Sequence, residues 1–561
     1  LKNRGNIILS MKEIYISIIE RAVYAYGRKR IEEYVSDVKR DGLKEHGFPR
    51  ITANLAILNA LGRCTEYRDI FLECMDICCR QIPHTKRCAN EFSVREIVCA
   101  INLLKEHGTV SEQKICEWTE LLSEFDPYEN YDVVPKPGES RGNWAAFGAA
   151  SEIMRSKLCG IDSREFIDNQ LLSLLGDFDE NGMYRDPNNP TVYDYVTRVL
   201  MNFMMYAGYD GKHKDIIQGF LDKSHALSAK LQSVTGDIAF GGRSNQFLHN
   251  QMWTAADYEY TASEYAKAGD MEKAGEFKAA AELSAQNILP LLRKDDIHHI
   301  KNYYPVDSMT GCEDYGYFNK YMITLASMAY FAYLFADDSI VPTVPPCRKN
   351  AYIAKTSDDF HKVIANGFGY TLEFDTNADT HYDANGLGKI NKINCPETIC
   401  ISVPFPSAES KYKTEFANPR PMSLCVYTEN GGKTLYGADA AFSFSYLGQK
   451  TGKDFICAEF ESAFPNQSII QTYRISENGI DISQNGGENT GFCLPVLECD
   501  GRNLTEITES ANKLKVKYQH HVCEYTFCAK AKNFTLYSNR NGRYRVYKVP
   551  AKDVHIDIYS E

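Results

Sequence analysis

The chain has 561 residues, 44% of them hydrophobic, enough length and apolar content for two or three domains with packed cores. A formal net charge of -12, with no basic run longer than a few residues, argues against a nucleic-acid or anionic-membrane partner. No apolar run is long enough to span a membrane, and the 18 cysteines sit mostly inside apolar patterns without paired Cys-x-x-Cys motifs, so free buried thiols are expected rather than a thiolate metal site.

Residues 1–10 lack the charged, apolar and small-residue order of a secretion signal, and the expected location is cytoplasmic. From Met11 to about residue 337 apolar residues recur at three and four, as in MKEIYISIIERAVYAYG, ITANLAILNALG, YRDIFLECMDICC, VREIVCAINLLKEHG and EQKICEWTELLSEF. Further helical patterns begin near Asn143, Ser163, Thr191, His213, Gln246, Met271 and Tyr315. Roughly twelve helices make six hairpins, which predicts an (α/α)6 toroid over 11–337. No repeat of fixed period supports the open solenoid instead.

The longer loops, 126–142, 176–190, 234–245 and 294–314, each precede an even-numbered helix in that count. Alternate helices of such a ring run parallel, so these loops should open on one face and share a rim. Residues 338–351, with three prolines in DSIVPTVPPCRKN, read as a linker. From 352 to 561 the pattern alternates, as in GYTLEFD, TICISVPF, SLCVYT, FICAEF, KLKVKY and EYTFCAK. Turn signals stand at Asn430-Gly431-Gly432, Asn478-Gly479 and Asn541-Gly542, and an antiparallel β-sandwich is expected.

Four polar clusters stand where those loops meet helices. The run GGRSNQFLHNQMW at 241–253 has two glycines that allow a close backbone approach, then Arg243, Ser244, Asn245 and Gln246, with His249 expected one turn inside the next helix. A capped turn with a surface Arg243 is the plainer alternative. Asn143-Trp144 offers a hydroxyl ligand and a stacking ring, or only a cap and a core aromatic. Tyr193-Asp194-Tyr195 places an acid one turn before Arg198, as a catalytic group or as a helix ion pair. Glu313-Asp314-Tyr315-Gly316-Tyr317 supplies more acids and phenols, while Asp177 to Asp186 lacks the spacing of a calcium loop and His298-His299 lacks a third ligand, so no metal and no cofactor are expected. In the sheet region His381 and Tyr382 lie in a polar loop that can lean on the helical rim or form a simple turn. The 36 tyrosines, flat faces with a polar tip, suit a sugar cleft.

With those residues in view, the helical half resembles the uncharacterised-domain family numbered 2264, which overlaps glycoside hydrolase family 154 of exo-β-glucuronidases. The similarity rests on Asn143-Trp144, Gly182-Met183-Tyr184-Arg185-Asp186, Tyr193-Asp194-Tyr195, Gly242-Arg243-Ser244 and the Tyr-rich stretch at Tyr315. The resemblance implies a helical toroid carrying a β-sandwich, an architecture shared with heparinase-like polysaccharide lyases.

The leading expectation is an enzyme that hydrolyses a uronic acid from an oligosaccharide. In it Arg243 holds the carboxylate and Asp194 with Glu313 or Asp314 serves as acid and base. The alternative is a lyase in which Tyr315 or Tyr317, with His249 or His381, abstracts the C5 proton while Arg243, Asn245 or Gln246 neutralises the uronate. A third is a sugar-binding protein without catalysis. Asn143, Trp144, Tyr193, Tyr195, Ser244, Tyr317 and His381 complete the expected substrate contacts, and homo-oligomerisation is left open.

Overall fold

The computed structural model describes residues 9–86, 88–136, 139–292 and 297–561. Residues 1–8, on which the absence of a leader was read, and the first part of the 294–314 loop lie outside the described residues.

Six helices form the inner layer of the first region: Gly47–Ala60, Asn90–Glu106, Trp144–Cys159, Thr191–Tyr206, Asn250–Lys267 and Phe318–Phe335. Each packs on the next in chain order, and Phe318–Phe335 packs back on Gly47–Ala60, which closes the ring. The amino acids explain the placement, since every residue of Gly47–Ala60 is buried and its polar Thr52, Asn54 and Asn59 bond back to carbonyls four residues earlier. Outside them lie Met11–Tyr26, Arg68–Gln81, Glu112–Ser123, Arg164–Leu172, Lys214–Ser228 and Met271–Leu292, each with one apolar stripe turned inward.

Helix Arg28–Asp41 is absent from the sequence-based count. Only Ile31, Val35 and Val38 of its fourteen residues are buried, and it begins directly after Gly27, whose φ of 79° ends Met11–Tyr26. So thin a stripe among RKREE charges gives a weak periodic signal. Because it lies within the connection between Met11–Tyr26 and Gly47–Ala60, it leaves the alternation of outer and inner helices undisturbed.

The second region holds three antiparallel sheets around one apolar core. One has four strands, from Tyr352–Lys355 to Gly386–Lys392; one has eight, from Glu506–Ser510 to Ser443–Thr451; one has five, from Phe534–Asn539 to Lys433–Tyr436. The hairpin at Gly431-Gly432, with φ of 56° and 78°, has the left-handed pair that matches strand twist. The strand expected over TICISVPF does not form. Ile399, Cys400, Ile401, Val403 and Phe405 are buried as irregular chain, because Pro396, Pro404 and Pro406 remove the donors a ladder needs.

The two regions are joined by buried polar contacts. Asp237 lies between Lys301 and Lys389, whose ammonium groups hold its carboxyl far below the usual range. Phe240 N donates to Glu373 at 3.0 Å and Val234 N to Thr371 Oγ1 at 3.0 Å. The 338–351 segment lies along this seam, with the Arg348 guanidinium donating to Val234 O and Asp338 capping Met11 N at 3.1 Å.

Candidate functional site

The loop at 241–249 is clamped from both regions. A Cβ on Gly242 would come within 3.0 Å of Pro190, and its φ of 68° suits only glycine comfortably. Its N–H donates to Asp383 of the sheet region at 2.8 Å, and the Arg540 guanidinium, in the turn before Gly542–Val549, donates to Asn245 Oδ1. Ser244 sits at a φ of 60°, held there by Asn250 Nδ2 on its carbonyl at 2.7 Å and by Glu313 accepting its N–H at 2.7 Å.

This loop and the first turns of all six inner helices line a chamber of about 260 Å³. His46 and Arg50, Phe92, Asn143 with Trp144 and Phe147, Val192 with Tyr193, Asn250 with Trp253, and Lys320 with Tyr321 and Thr324 come from successive members of the ring, and Arg243, Ser244, Phe247 and His249 from the loop. The lining carries Arg50, Arg243 and Lys320 and no carboxylate. Arg243 is held from behind by buried Asp186, and its guanidinium carbon lies 4.4 Å from the centre of the Tyr193 ring. Arg50 Nε donates to Glu96 at 3.0 Å.

A chain of hydroxyls leads out of the chamber. Tyr193 Oη is 3.1 Å from Ser244 Oγ, which is hydrogen-bonded to Tyr315 Oη, and Tyr315 donates to Glu313 Oε2 at 2.9 Å. Gln246 Nε2 donates to the same oxygen at 2.8 Å. Since the carboxylate only accepts, Tyr315 spends its proton on Glu313; each link is then filled only if Ser244 donates to Tyr315 and Tyr193 to Ser244. That order leaves the Tyr193 oxygen with lone pairs turned toward the chamber.

Burial raises the Tyr193 and Tyr315 phenols above their ordinary range, so both are protonated at neutral pH. Burial, reinforced by the Arg50 charge, holds His249 far below its usual value, and its imidazole is neutral with Nδ1 unpartnered among the described residues. His46 is depressed in the same way, and burial lowers Lys320.

The structure brings Asn143, Trp144, Tyr193, Arg243, Ser244 and His249 to the chamber, with Tyr315 and Glu313 one and two bonds behind. It does not bring Asp194 there. Asp194 points into the helix packing, where its Oδ2 takes Arg198 at 2.6 Å and its Oδ1 takes Tyr184 N at 2.9 Å; burial lifts its pKa to about 6. Tyr195 is buried with its hydroxyl 3.2 Å from Ser228 O. Asn245 and Gln246 brace the loop from behind rather than lining the chamber, Asp314 is exposed, and Tyr317 borders a separate cavity. His381 turns to Asp379 at 2.8 Å. Asp383, on the same loop, is what the sheet region contributes, because its carboxylate can reach the Gly242 N–H.

His249 lies just before helix Asn250–Lys267 rather than within it. His299 Nε2 donates to Gly316 O at 2.6 Å, and among the described residues no three His, Cys, Asp or Glu gather as metal ligands. Lys320 and Tyr321 follow closely on the acid and tyrosine cluster at 313–317, whereas His46, Arg50 and Phe92 have no motif in the sequence and are marked only by a helix start common to all six ring members.

No family model and no curated protein sequence matches the chain. Among solved structures, the crystal structure of heparinase III superposes with a TM-score of 0.50 over 100% of this chain and 87% of its own, at 10% sequence identity. A second heparinase III structure aligns over 91% of this chain and 84% of its own, at 10% identity and a TM-score of 0.33. The first likeness is one of fold, a mostly helical region followed by antiparallel sheets. The resemblance to family 2264 and glycoside hydrolase family 154 has no counterpart in these comparisons.

Proposed function

We propose that the chain is a carbohydrate-active enzyme that cleaves uronic-acid glycans by β-elimination, on an (α/α)6 toroid followed by an antiparallel β-sandwich. The hydroxyl chain from Tyr193 to Glu313 carries this reading. A buried phenol is a poor base alone, but here it can take the C5 proton of the sugar while its own proton passes through Ser244 and Tyr315 to Glu313. Run backward, the same chain returns a proton to the departing glycosidic oxygen, so the balance closes with no group left changed. Loss of the C5 proton and of the glycosidic oxygen leaves a C4–C5 double bond.

Arg243 supplies the fork that pairs with a carboxylate and stabilises the charge that grows on it as the C5–H bond breaks. His249, neutral and facing the same space, hydrogen-bonds the sugar without adding a charge that would compete for the uronate. The closed ring of helices and the heparinase III fold likeness support the reading, and the hydrolytic pair of Asp194 with Glu313 or Asp314 lacks its first member at the chamber.

Incubation with uronic-acid oligosaccharides tests it: an unsaturated product absorbing in the ultraviolet is expected. Release of saturated uronate instead would overturn elimination and transfer the chemistry to Asp186 and Glu313, the carboxylates behind the chamber wall. Bound sugar without product would leave a binding protein.

A further inference from the structure

Beside the chamber, across Lys320, lies a second cavity of about 660 Å³. One wall is helix Arg28–Asp41, whose Arg30, Glu33, Tyr34 and Asp37 repeat at three and four and so share a face that adjoins its buried stripe of Ile31, Val35 and Val38. The other wall is the turn carrying Tyr317, Phe318 and Asn319, and Lys320 borders both spaces. Tyr317 is 61% exposed at this cavity, an aromatic face that the packing of the fold does not use.

The charges here differ from those of the chamber. Glu33, Asp37 and Glu45 line it beside Arg30 and Lys320, and Lys29 and Arg40 pair with Glu33 at 3.8 Å and with Asp37 at 2.7 Å. The Arg30 guanidinium is already spread over the Phe318 ring at 4.9 Å and the Tyr26 ring at 5.5 Å. Glu45 is fixed by the Tyr34 hydroxyl and by Gly47 N at 2.9 Å.

We propose that this cavity is a second sugar subsite, in which Tyr317 stacks on a pyranose ring adjoining the acidic ring in the chamber. This rests on the sugar-cleaving reading for the neighbouring ring only. The hydroxyls of such a ring find donors and acceptors on Tyr34, Asn319 and the carboxylates of the wall. Helix Arg28–Asp41 then has a purpose beyond covering the ring, since it builds the subsite's outer wall.

The test has two arms. Saturation-transfer NMR with cellobiose, a neutral probe that needs no turnover, should give a signal with the full chain that Tyr317→Ala removes; no signal, or one that survives the substitution, overturns the subsite. In the kinetic arm, Tyr317→Ala should raise the ratio of KM for a uronate tetrasaccharide to KM for a uronate disaccharide about tenfold. Loss of the cellobiose signal in Tyr317→Ala without any unsaturated product would sink the elimination reading and leave the subsite standing.

Discussion

Tyr193 and Asp194 are consecutive residues on one helix, separated by about 100° around its axis, and they end in opposite circumstances. Tyr193 faces the chamber and joins a chain of hydroxyls. Asp194 faces inward, joins Arg198, and through it a buried group that includes Asp257 with Asn202 at 3.0 Å. The acid is the better catalyst on chemical type, yet both its oxygens are occupied; the phenol is the poorer one, yet it keeps lone pairs facing open space. Hydrogen-bonding capacity left over after folding, rather than residue type, separates the working face of this helix from its structural face.

Asp194→Ala is the strongest way to break that contrast. It leaves the buried Arg198 guanidinium with Asp257 at 3.3 Å as its remaining counter-charge, and a loss of about 3 kcal/mol of stability is expected in urea unfolding. A stable, inactive Asp194→Ala protein would show that the acid works in catalysis after all. Tyr193→Phe should do the reverse, lowering kcat about 10²- to 10³-fold with the unfolding midpoint nearly unchanged.

Ser244→Gly cuts the same chain while relieving the φ of 60°, and its kcat loss should overlap that of Tyr193→Phe rather than add to it. Additive losses would mean that Tyr193 acts without the relay. Arg243→Lys should raise KM for uronates about tenfold, because an ammonium cannot reproduce the planar fork; unchanged kinetics would remove Arg243 from the site.

The smallest effect concerns pH. Burial lowers the folded pKa of His249, so from about pH 6.5 downward the unfolded chain gains a proton that the folded one refuses. Stability is therefore full above that pH and falls as pH drops toward the folded pKa. His249→Asn should make the decline shallower by up to about 1.4 kcal/mol per pH unit, read from thermal midpoints across the acid range.

The alternation of outer and inner helices was legible because apolar spacing and loop length report burial and connection directly. Of Trp144, Tyr193, Arg243 and Tyr315, expected on one rim from counting alone, the first three line the chamber and Tyr315 stands one hydrogen bond behind it. Arg28–Asp41 escaped because its stripe is three residues wide, and TICISVPF misled because burial without a ladder looks like a strand in sequence. Asp194 misled for a different reason: sequence gives a residue's identity, while the direction it faces and the partners it has already taken appear only when Arg198 and Tyr184 come together. His46 and Phe92 carry no local motif, since each contributes only by standing at the start of a helix in a closed ring.

The clamp on the 241–249 loop has a consequence for the order in which the molecule is made. Asp383 and Arg540, which hold Gly242 and Asn245, are translated long after the loop itself. A ribosome that has released only the helices has therefore made the ring but not a finished loop. The grip of Asp383 and Arg540 on Gly242 and Asn245 is added by the sheets to a loop whose Arg243 and Ser244 are already held by Asp186, Asn250 and Glu313 of the helical region.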